Sequence, residues 1–223
     1  MTTDPPGLAE AAGLGEAILP DQLPTAASGA GEIGSAPADP EAERASRRVS
    51  GRCRVLVGGI GLPWLRDLDF GTQFIRRIEG LDWPDDVMVE DLSYAAHRVL
   101  HTLQEVRPEK VVLVGAMPRD IDPPGTIRRY PLDLTPPPED EVADRLGEAV
   151  GGIIDLDHTL AVVRYWKGFP PDTVVIEVEP GDRAFGLGFS SEVEAKVDAI
   201  LDLVRQEVGA ESSGPPETKE SRA

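Results

Sequence analysis

The stretch VLVGGIGLPWLRDLDFG, Val55 to Gly71, carries an apolar run into a glycine-rich turn and then two aspartates around a leucine. A short buried strand followed by a tight turn and an acidic loop is the layout of a ligand or metal site at the carboxyl edge of a parallel sheet. Leu68 stands between Asp67 and Asp69, where a ligating side chain is expected.

Working outward, strand-like and helix-like patterns alternate. Arg54–Gly59, Asp86–Leu92, Glu109–Ala116 and Asp172–Pro180 read as strands, and Gly125–Leu134 reads as an edge strand limited by Pro131. Helical spacing covers Asp69–Ile78, Tyr94–Val106 with Ser93 as N-cap, Glu139–Val150, Asp157–Trp166, and Ser190–Val208 with Ser190 or Ser191 as cap. This order predicts an α/β fold, a three-layer α/β/α sandwich on a mostly parallel five-stranded sheet. Chemistry is then expected where strands meet loops, at residues 59–69, 91–93, 115–122 and 179–188.

The flanks differ in composition. Residues 1–48 are rich in Ala, Gly, Pro, Ser and Thr, and residues 209–223 resemble them, so both are expected to be disordered tails around one domain at 49–208. Among 223 residues, 40 acids against 22 Lys and Arg give a formal charge of -18, which argues against nucleic-acid and anionic-membrane partners. The single cysteine, Cys53, excludes an internal disulfide framework and fits a reducing compartment. No apolar run is long enough to span a bilayer and no secretory signal opens the chain, so the protein reads as cytoplasmic.

Several motifs need weighing. GGIGLPW places Trp64 where a dinucleotide fingerprint needs its third glycine, and no phosphate-loop lysine follows. His97 and His101 have the spacing of two ligands on one helix, but no carboxylate lies between them, where Arg98, Val99 and Leu100 stand, and they read as two partly buried helix histidines. His158, after Asp155 and Asp157, can serve as a metal ligand or a base.

Together these segments resemble the NiFe-hydrogenase maturation endopeptidases over most of residues 53–208. Gly59, Gly61, Asp67 and Gly71 match the family's opening motif at the same spacing, with Leu62 in place of its asparagine. VLVGA, PPGTIRRY, DLDHTL and VIEVEPGDRAFGLGFSSEV follow in the family's order. The resemblance implies a phosphorylase/hydrolase-like layout and removal of a C-terminal extension from the hydrogenase large-subunit precursor. It also implies nickel or another divalent metal held by three residues. Carried over by position, those residues are Leu68, Gly115 and His158, and only the last can ligate.

The expected site is therefore His158 as metal-binding or proton-handling group, with Asp67 or Asp69 compensating for Leu68 and Asp120 or Asp122 for Gly115. Loops around Trp64 and Phe185 are expected to grip the peptide. If no metal is held, the resemblance implies instead a non-proteolytic chaperone or adaptor for the immature subunit, with other maturation factors as further partners. An α/β domain binding a small molecule, unrelated to hydrogenases, is the third reading.

Overall fold

The computed structural model describes residues 53–210, so the two expected tails lie outside the described residues except for Gly209 and Ala210, which end the last helix. Five strands form one sheet: β1 (Val55–Ile60), β2 (Val87–Asp91), β3 (Lys110–Ala116), β4 (Ile127–Pro131) and β5 (Asp172–Val178). Their order is β2-β1-β3-β5-β4, with β4 antiparallel to β5 at one edge and every other pairing parallel. Pro131 ends β4, as a residue without an N–H should at a sheet margin. The predicted sheet is the observed one.

Among the described residues six α-helical segments surround it: α1 (Phe70–Ile78), α2 (Ala96–Val106), α3 (Glu139–Val150), α4 (Leu156–Tyr165), the short α5 (Ser191–Glu194) and α6 (Val197–Gly209). Strand alternation divides the apolar residues into two cores. On one face Leu56, Val111 and Leu113 pack against Val99 and Leu103 of α2 and Leu156, Leu160 and Val163 of α4. On the other, Val57, Val112 and Ile176 pack against Phe70, Phe74 and Ile78 of α1 and Ile200 and Val204 of α6. These two buried faces make the three layers.

Close packing of α1 on β1 depends on two glycines. A Cβ on Gly59 would lie 2.3 Å from the Gly71 carbonyl oxygen, and one on Gly71 would lie 2.2 Å from backbone atoms of Ile60. Backbone meets backbone there, and no side chain fits between.

Two helix starts differ from expectation. Ser93 does not cap α2, whose N-cap position is Ala95 without a side-chain bond. Its hydroxyl instead accepts from Gly61 N at 3.0 Å and pairs with Thr72 Oγ1 at 2.7 Å, tying the β1 and β2 loops together. The final helical stretch is broken at Ala195–Lys196, so Ser190 caps only the four-residue α5 and the long helix begins at Val197.

Candidate functional site at the carboxyl edge of the sheet

The loop after β1 carries a short 3-10 turn, Arg66–Asp69, and is held against the loop after β5. Gly186 N donates to Trp64 O at 2.7 Å, Arg66 N to Gly186 O at 3.2 Å, and Asp67 N to Asp182 O at 3.1 Å. Trp64 and Arg66 both adopt left-handed backbone, with φ of 64° and 45°, a strain the pairing of the loops must offset.

Asp67 fastens the pair. Its carboxylate is fully buried and accepts Gly181 N and Asp182 N at 2.8 Å each, Ser190 N at 2.7 Å and the Ser190 hydroxyl at 2.7 Å. Four donors on two oxygens make this carboxylate a loop anchor. Asp69 is also buried; Oδ2 accepts from Gln73 Nε2 at 3.2 Å and Oδ1 has no hydrogen-bond partner. Burial pushes the Asp69 carboxyl above the usual range.

His158 sits in the first turn of α4, where its backbone N–H donates to the N-cap Asp155 at 2.8 Å. The residue is 2 % exposed, with Nδ1 2.9 Å from the Arg145 carbonyl oxygen of α3. A carbonyl only accepts, so Nδ1 is the donor of this contact and carries a proton. Gly115 pairs with Ile60 on one side and Glu177 on the other. A Cβ there would lie 2.9 Å from Ile60 O and 3.3 Å from Leu156 Cδ2, so an aspartate would require the neighbours to move.

The residues present do not fit a divalent metal. Among the described residues no three His, Cys, Asp or Glu side chains come together as a metal-holding group. His158, Asp67 and Asp69 are not such a group of three. Asp120 and Asp122 are engaged by Arg183 and Arg128. His97 and His101 are exposed on α2, not partly buried, with ring centroids 6.2 Å apart. Cys53 is buried, and burial pushes its thiol up to about 11, which suits an inert structural role.

Sequence reasoning missed the charge network beside His158. Glu177 and Glu179 of the β5 edge are 1 % and 2 % exposed. Glu177 receives Arg119, Arg128 and Tyr130; Glu179 receives Arg128 and the backbone N–H groups of Arg119 and Asp120. The available signal was a glutamate inside the apolar run VVIEVEP, since a charge in a buried strand requires partners.

Around this edge stand exposed apolar side chains: Trp64 at 62 %, Phe185 at 80 %, Leu187 at 71 % and Ile121 at 77 %. The pairing of Gly186 with Trp64 brings the first three into adjacent loops. Large apolar groups grouped at a loop edge are suited to gripping a peptide.

No family model matches the chain. A curated protein of Methanocaldococcus jannaschii, named as a candidate hydrogenase maturation protease, is 30 % identical over 82 residues, 37 % of this chain and 53 % of that protein. The chain thus spans about half the length of that relative. Among solved structures, a hydrogenase 2 maturation peptidase from a Thaumarchaeota archaeon is 24 % identical, covering 71 % of this chain and 99 % of that one, with a TM-score of 0.50. The hydrogenase maturating endopeptidase HybD of Escherichia coli is 23 % identical over 68 % of this chain and 89 % of its own, with a TM-score of 0.52. The hydrogenase maturation protease HycI of Thermococcus kodakarensis is 18 % identical over 72 % and 96 %, with a TM-score of 0.52. In sequence the chain resembles a candidate hydrogenase maturation protease over part of its length, and its fold is that of the hydrogenase maturation proteases.

Proposed function

We propose that this chain acts in the cytoplasm in the maturation of a NiFe-hydrogenase large subunit, by C-terminal processing of its precursor. The observation that carries this reading is the sequence match to a candidate maturation protease. The shared fold supports it. The precursor's C-terminal extension lies across the carboxyl edge of the sheet, held by Trp64 and Phe185 on the paired loops. His158, held through Nδ1 by the Arg145 carbonyl, is the proton-handling group of this reading, with Nε2 as the ring atom left for that role.

A second reading, a non-proteolytic assembly chaperone or adaptor working with other maturation factors, is favoured by one specific observation. Leu68 and Gly115 supply no donor, and Asp67 is consumed as an anchor. The two readings share the surface and differ in the outcome. Incubating the full chain with nickel-loaded precursor and measuring intact mass separates them. Loss of the C-terminal peptide supports processing. A stable complex without shortening supports the adaptor, and neither result rejects both.

A further inference from the structure

Arg119, three residues beyond β3, makes two forked contacts. Its Nε and Nη2 donate to Glu177 Oε1 and Oε2 at 3.0 and 2.7 Å, and its Nη1 and Nη2 donate to Asp157 Oδ2 and Oδ1 at 2.8 and 2.9 Å. Glu177 is the register partner of Gly115, and Asp157 immediately precedes His158. One planar cation thus joins the strand position beside Gly115 to the turn that carries the imidazole. The direction is consistent on the sheet: the Gly115 face looks onto Leu156 of α4, and register partners share a face.

The surroundings hold the guanidinium firmly. Glu177 is almost completely enclosed, and Glu179 accepts the backbone N–H groups of both Arg119 and Asp120. Hydrogen bonding to Glu177 raises the Arg119 pKa further above its already high value, so it stays charged throughout the working range. Bidentate pairing fixes orientation as well as charge.

We propose that Arg119 is a built-in cation, supplying between β5 and the first turn of α4 the positive charge that the resemblance would assign to a divalent ion. Through Asp157 it also ties down the turn that carries His158. The disagreement between the family's metal and this chain's residues then has a physical meaning: the acids at this edge are already neutralised by a side chain. The proposal stands on the geometry, whether or not the precursor is cleaved.

The test is replacement of the cation by an ion in the full-length protein. Arg119→Gln keeps a polar side chain but leaves Glu177 buried without its main counter-charge. Manganese is the probe, because it prefers carboxylate oxygens over the exposed His97 and His101 pair. Millimolar manganese is expected to raise the Tm of Arg119→Gln by about 3–5 °C more than that of wild type. The excess should vanish in Arg119→Gln/Glu177→Gln. If Arg119→Gln is unfolded without ions, manganese should restore its cooperative transition. Equal shifts in wild type and variant, or failure of the unfolded variant to recover, would overturn the proposal.

Discussion

Ser190 donates twice to Asp67, from its backbone N–H to Oδ1 and from its hydroxyl to Oδ2, each at 2.7 Å. These residues lie 123 positions apart, and their contact joins the first loop of the domain to the last. An aspartate suggested by its neighbours as a ligand is thus the fastener of a peptide-facing edge. Asp67→Asn exchanges one acceptor for donors facing N–H groups, and is expected to cost about 2–4 kcal/mol of stability. Urea unfolding measures it; a loss below about 1 kcal/mol would contradict the anchor role.

Asp69 should behave oppositely. Burial raises its folded pKa above the unfolded value, so the native state holds the proton more tightly and loses stability as pH rises from the unfolded pKa through the folded one. Asp69→Asn removes that penalty. The variant is expected to gain on wild type as pH increases from about 3 to about 7, with the difference smallest at the acid end. Thermal melts across that interval would show the trend, and a gap independent of pH would refute it.

Gly71 allows α1 to touch β1. Gly71→Ala places a Cβ 2.2 Å from Ile60 backbone atoms and should destabilise the domain by about 3 kcal/mol or more. Gly147, whose added Cβ meets nothing within 4 Å, is the matched control in α3, where alanine should be neutral or stabilising.

Cys53 should be silent while the chain is folded. With its thiol pushed up to about 11 by burial, reaction with a disulfide reagent at neutral pH is expected only after denaturant is added. Prompt reaction of the native protein would show that the β1 entrance opens.

Much of the architecture was legible because the apolar runs are long and alternate with amphipathic spacing, as at Val111–Val114 and Val193–Val204. Gly59 and Gly71 were visible as punctuation, though only coordinates show that they face each other. The site was less legible. Donors to Asp67 come mainly from backbone N–H groups, which every sequence contains, and the partners of Glu177 lie on β4 and the loop after β3. Ser93 illustrates the same limit: its sequence position suits a cap, while its hydroxyl bonds across to Gly61 and Thr72. Local spacing reports helix and strand periods, and it is blind to such distant pairings.

Trp64 and Phe185 offer the most direct measurement. Binding of the full chain to the large-subunit precursor, and to the same subunit lacking its C-terminal extension, should be compared by calorimetry in chelator-treated buffer. The extended precursor should bind and the shortened one should not, and Trp64→Ala and Phe185→Ala should each weaken binding about tenfold, near 1.4 kcal/mol, with little loss of stability because both side chains are exposed. Equal binding of the two subunits, or of wild type and both variants, would contradict a peptide-gripping edge.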